Sequence, residues 1–162
     1  MKRSMRKIYV DSNIFVDAEI PDRPFHKESK RFLETVLARR DIRVCTSVYT
    51  LLEIASAITR QIGKRYIAYK SLYNVEMKYS ESHVSRLYPS RKDEVFDFEK
   101  LVRALIETSI QYYTPAGDTI HAHTLIANRI RTLVTRNKDH FLHLKGREIL
   151  TPEEFLGSLE KK

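Results

Sequence analysis

Five short β-rich runs in this chain, alternating for most of its length with segments of helical period, restrict it to an α/β fold built on a parallel sheet covered on both faces. The runs are residues 7–11 (KIYVD), 42–46 (IRVCT), 82–88 (SHVSRLY), 132–135 (TLVT) and 148–150 (EIL). After the PDRP turn at 21–24, Phe32, Leu33, Val36 and Leu37 follow the i, i+3, i+4 spacing of a helix over 25–40, which Asp41 breaks. Ser47 is placed to cap a helix over 48–62 whose apolar stripe is Val48, Leu51, Leu52, Ala55, Ile58 and Ile62, and Gly63 ends it. A third helix is expected over 64–79, with Ile67, Tyr69, Leu72, Tyr73 and Met77 as its apolar content and its tyrosines packed inward. A fourth is expected over 93–113, burying Phe98, Leu101, Val102, Leu105 and Ile106, and a fifth from Asp118 to about 130. Thr151-Pro152-Glu153-Glu154 reads as a capping box with proline at the first helical position.

The polar residues at the strand ends carry the chemistry. Asp11 closes the first run and is followed by Ser12 and Asn13. At the C-terminal end of a parallel strand such an Asp faces the ligand crevice, and it also suits an N-cap. Glu53 interrupts the apolar helix SVYTLLEIASAI, either as a paired or functional charge or on the solvent flank. Asp118, just after Gly117, stands in a first helical turn, where the helix dipole favours a carboxylate. Asn137 and Asp139 follow TLVT directly in TRNKDHF. If the first and fourth strands are neighbours, Asp11 and the TRNKD loop meet at one edge, and helices starting beside them bring Glu53 and Asp118 into the same cleft.

Carboxylates crowded in this way raise one another's pKa unless a cation neutralises them. A hard divalent ion, Mg²⁺ or Mn²⁺, takes oxygen ligands and suits a few carboxylates with substrate phosphate. Zinc does not fit, because the chain has a single cysteine and His121 and His123, two residues apart on a helix, point to different faces. Both are read as surface groups or as supports behind a ligand, and His140 as packing in the turn after the strand.

Composition bounds the partners. In 162 residues, 29 Lys and Arg face 21 Asp and Glu, a net +8 that favours a polyanionic partner such as nucleic acid. The clusters Lys2/Arg3/Arg6/Lys7, Arg39/Arg40/Arg43, Arg60/Lys64/Arg65/Lys70 and Arg129/Arg131/Arg136/Lys138 would serve it, and each equally suits a solvated helix end. Residues 1–162 fit one domain. No run approaches the ~20 apolar residues of a membrane span and no secretory h-region follows the basic N-terminus, so a soluble, cytoplasmic protein is expected. Cys45, inside an apolar run, is expected to be a buried small hydrophobe.

Taken in order, IYVDSNIFVD, TSVYTLLEIASAI, GDTIHAHTLIANRIRTLVTRNKDHF and ILTPEEFL resemble the PIN-domain ribonucleases, and among them the VapC-type toxins. The resemblance implies a three-layer α/β/α sandwich with a parallel sheet, Rossmann-like in its layering, and a cleft for Mg²⁺ or Mn²⁺. It implies Asp11 and Asp118 as the main metal ligands, Glu53 as the third acid, and Ser12 and Thr135 lining the site. Asn137 stands where many members carry a fourth acid; Asp139 is the alternative. It further implies RNA as substrate, a small antitoxin protein as partner, and a homodimer, for which Tyr66, Tyr69, Tyr73 and Met77 offer an aromatic surface. Two other readings remain: a haloacid-dehalogenase-like phosphatase, whose pattern wants an Asp where Asn13 stands, and a non-catalytic RNA- or protein-binding module on the same fold.

Overall fold

The computed structural model describes residues 5–63, 65–90 and 97–160. Strands β1 (Arg6–Val10), β2 (Ile42–Ser47), β3 (Val84–Leu87), β4 (Thr132–Val134) and β5 (Glu148–Leu150) form one parallel sheet in the order β3-β2-β1-β4-β5. Around it lie α1 (Ser12–Glu19), α2 (His26–Leu37), α3 (Thr50–Ile62), α4 (Arg65–Lys78), α5 (Phe98–Tyr112), α6 (Ala116–Ala127), a 3₁₀ turn at Lys138–Phe141 and α7 (Pro152–Glu160).

Side chains alternate across a strand, so β1 feeds two cores. Ile8 and Val10 join Ile14, Phe15, Phe32, Val44, Ile54, Ile58 and Phe155 on the face covered by α1, α2, α3 and α7. Tyr9 joins Cys45, Ala122, Leu125, Leu133 and Phe141 on the face covered by α6. These two layers of helix on a parallel sheet make the α/β sandwich the sequence predicts.

Local signals set most boundaries. Gly63 ends α3 with φ 67°, a left-handed conformation that costs glycine little. The capping box forms as read: Thr151 N–H donates to Glu154 Oε2 at 2.7 Å and Glu154 N–H to Thr151 Oγ1 at 3.2 Å. Helix α1, which the sequence reading leaves unassigned, begins because Asp11 accepts the Ser12 N–H at 2.7 Å. Ser47 does take a backbone proton, from Tyr49 N at 3.1 Å, yet α3 starts only at Thr50.

The buried faces of three helices differ from expectation. In α3 the inward residues are Ile54, which the expected stripe omits, and Ile58, which it includes, while Leu52 is exposed. Tyr69, Tyr73 and Met77 of α4 are exposed instead of packed, and Val75 with Tyr79 beyond the helix end makes the inward contact; the Tyr66 side chain lies outside the described residues. In α5, Phe98, Val102 and Ile106 are exposed and only Leu101 and Thr108 are buried, while the expected start at Asp93 falls outside the described residues. An apolar period fixes that a helix has an apolar face, not that this chain covers it.

Candidate active site

The chain runs outward from β1 through β2 to β3 and returns to lay β4 on the other side of β1. The crevice at such a reversal, beyond the C-terminal strand ends, is where open α/β sheets bind ligands. Asp11 and Thr135, the residues immediately after β1 and β4, stand at that point, and Asp11 N–H extends the ladder to Val134 O at 3.0 Å.

Asp11 is 1% exposed. Its Oδ1 accepts from Ser12 N, and its Oδ2 from Asn13 Nδ2 at 2.8 Å and Thr135 Oγ1 at 2.7 Å. Burial pushes its pKa above the ordinary carboxylate value and the Asp118 and Glu53 charges push the same way, while His121 and the Thr135 hydroxyl oppose them. Thr135 Oγ1 also accepts from Asn13 Nδ2 at 3.2 Å and from Asn137 N at 3.0 Å, so one hydroxyl ties the loops after β1 and β4 together. Arg136 braces the second loop from behind, through Glu153 at 2.7 Å and the Phe25 ring at 4.4 Å.

Glu53 reaches this edge because the N-terminus of α3 is pinned to β1. Thr46 Oγ1 donates to Val10 O at 2.8 Å and lies 2.7 Å from the Thr50 hydroxyl in the first turn of α3. The Glu53 carboxylate then meets His121 Nε2 at 2.7 Å. His121, 1% exposed, has its Nδ1 2.8 Å from the Tyr9 hydroxyl and its Nε2 3.8 Å from Asp11 Oδ1. Burial works against charge on His121, but the Glu53 hydrogen bond and the Asp11, Glu53 and Asp118 carboxylates outweigh it and raise its pKa above the ordinary 6.5. Asp118 occupies the first turn of α6 and pairs with His140 Nδ1 at 2.7 Å.

The structure therefore brings Asp11, Glu53 and Asp118 into one electrostatic group, with His121 in its midst. Asn137 joins through its backbone N–H, its side chain exposed; Asp139 is exposed in the 3₁₀ turn, its side chain making no hydrogen bond or ion pair among the described residues. His123 bonds Thr108 at 2.9 Å on the other side of α6, as an i, i+2 separation requires.

Sequence reading left His121 between a surface group and a support behind a ligand, and missed the part Tyr9 plays behind it. Two signals were present: His121 lies three residues from Asp118 and so on its helix face, and Tyr9 lies two residues from Asp11 and so on its strand face. His140, expected to pack in its turn, instead holds Asp118.

Among the described residues no three His, Cys, Asp or Glu side chains are grouped to hold a metal ion. Glu53 and Asp118 each turn one oxygen to an imidazole. The chemistry of the donors nevertheless fits a hard divalent cation: all are carboxylate oxygens, and the Asp118 and Glu53 charges add to the burial that raises Asp11.

The family model of the PIN domain matches residues 8–146, from β1 through the loop that precedes β5. The chain belongs to the PIN-domain family, a class whose members are generally nucleases and typically use divalent metals. No curated protein matches the chain.

Proposed function

We propose that this PIN-domain protein is a divalent-metal-dependent endoribonuclease, the toxin of a toxin–antitoxin pair. The observation that carries the reading is the Asp11 carboxylate buried at the sheet's switch point, its pKa raised by that burial and further by two acids from α3 and α6. Asp11 and Asp118 would hold Mg²⁺ or Mn²⁺, with Glu53 as the third acid and Asn137 or Asp139 as the fourth polar group. When bound, the ion supplies positive charge for a phosphoryl group under attack. Ser12, Asn13 and Thr135 hold Asp11 in one orientation by donating to it, which fixes the ligand before substrate arrives. Asp118 and Glu53 each keep one oxygen without a partner among the described residues, available to the ion or to a water.

The net charge of +8 supports an RNA substrate, since phosphate contacts release counterions. A homodimer is supported by the exposed Tyr69, Tyr73 and Met77 of α4 and by the exposed Phe98, Val102, Ile106 and Ile110 of α5, the last 70% exposed. No helix among the described residues is long and apolar enough to cross a membrane, and a cytoplasmic location, where RNA and an antitoxin would be met, is part of the same reading.

The rival reading, a PIN-fold RNA- or protein-binding module without hydrolysis, is favoured by the histidine pairing of Glu53 and Asp118. Incubating the purified protein with single-stranded and looped RNA, with Mn²⁺, with Mg²⁺ and with excess chelator, separates the two. The nuclease gives metal-dependent cleavage that Asp11→Asn abolishes. Retention of RNA with no cleavage under any metal establishes the module, and cleavage indifferent to chelator overturns the metal mechanism.

A further inference from the structure

We infer that His121 is a positioning residue that presents Glu53 to the Asp11 cleft, its ring held from behind by the Tyr9 hydroxyl. The inference rests on the nuclease reading for its consequence, but the tether itself belongs to the metal-free protein.

Glu53 is the sole carboxylate of α3, and its side chain is 39% exposed. A glutamate that accessible samples several rotamers unless something holds it. What holds it is His121, buried to 1%, anchored on a helix that packs against the sheet. An ionised carboxylate accepts hydrogen bonds and donates none, so the His121 nitrogen 2.7 Å from Glu53 Oε2 carries the proton. The other ring nitrogen faces the hydroxyl of Tyr9, which is itself fully buried in β1. The ring cannot flip without breaking both contacts.

The tether selects an oxygen. Oε2 is taken by the imidazole and Oε1 has no partner among the described residues, so Glu53 enters the cleft as a one-oxygen ligand or acceptor. The same Nε2 lies 3.8 Å from Asp11 Oδ1, so the two acids that flank the cleft are spaced by one imidazole edge. Partners that orient a ligand in this manner change metal affinity about 10- to 100-fold when removed.

Three variants test this by Mn²⁺ calorimetry on the full chain, with RNA cleavage run in parallel. His121→Leu fills the buried site but offers no donor, and Mn²⁺ affinity should fall roughly 10- to 100-fold. His121→Gln keeps an N–H at about the reach of Nε2 and should recover most of that loss. Glu53→Gln should weaken Mn²⁺ as well, and His121→Leu added to it should weaken binding little further. Tighter Mn²⁺ binding in His121→Leu would show that the imidazole competes with the metal instead of presenting a ligand, and overturns the inference. Losses that add in the double variant, or a Gln variant as poor as Leu, overturn it too.

If His121→Leu does not fold, nuclear magnetic resonance of the wild-type imidazole carries the test. The Nε2 proton should be slow to exchange, and Glu53→Ala should abolish that protection; unchanged protection overturns the tether. A wild type that neither binds Mn²⁺ nor cleaves RNA, yet shows the protected Nε2 proton, fails the nuclease reading and leaves the tether standing.

Discussion

The hydroxyl of Thr135 joins the carboxylate of Asp11 across the ends of two neighbouring strands, 2.7 Å apart and both buried. That single group accepts from Asn13 and from the Asn137 backbone while donating to Asp11, so it orients the acid and closes the loop beside it. Thr135→Val is isosteric but leaves Asp11, Asn13 and the Asn137 N–H each short of a partner. It should cost about 1–3 kcal/mol of stability, read from urea unfolding without metal, and depress cleavage. Thr135→Ser should restore most of both.

Asp118 and His140 are partly exposed, their side chains 18% and 44% accessible. Asp118→Asn should therefore cost at most about 1 kcal/mol in denaturant unfolding, since exposed pairs contribute little, and still remove metal-dependent cleavage. A large stability loss would show that Asp118 serves the fold of α6 before the site. Asn137→Asp adds a carboxylate beside Thr135 and should shift the metal dependence of cleavage to lower Mn²⁺, whereas Asp139→Asn should leave it nearly unchanged.

The metal-free protein should lose stability as pH rises. Asp11 and His121 both have folded pKa values above their ordinary 3.8 and 6.5, so the folded state holds their protons more tightly than the unfolded chain does. Their contribution is complete below the ordinary values and is lost as pH climbs through the folded ones, Asp11 beginning above 3.8 and His121 above 6.5. Glu153 and Glu154 run the other way. The Arg136 and Lys138 contacts hold them below 4.5, so their smaller, solvent-screened contribution is present above 4.5 and fades below it. Thermal melts in chelator across pH 4–9 read this at roughly unit steps; in His121→Gln the fall beginning above 6.5 should disappear.

Thr151→Ala removes one half of a reciprocal capping box and should cost about 1 kcal/mol by chemical denaturation. The effect should be confined to stability, with cleavage at saturating metal preserved, because α7 is joined to the site's loop by the Arg136 and Lys138 ion pairs and supplies none of the three acids.

Local chemistry determined a good part of this protein before any contact was known. Alternation of β-rich and helical-period runs dictated a parallel α/β sheet, Gly63 and Thr151 marked real helix ends, and Asp11 was placed correctly as both a cap and a strand-end carboxylate, because each depends on a few neighbouring residues. Strand order, by contrast, is a long-range choice. Only the pairing of β1 with β4 brought Thr135 onto Asp11, residues 124 apart in the chain. The same holds for His121, which the sequence left open between a surface group and a support behind a ligand. Burial against Tyr9 and the reach to Glu53, 68 residues away, come from the packing of α6 on the sheet, which no local pattern encodes. The exposed faces of α4 and α5 show the same limit from the other side: periodicity makes a helix amphipathic, and the tertiary structure alone decides whether its apolar face is covered.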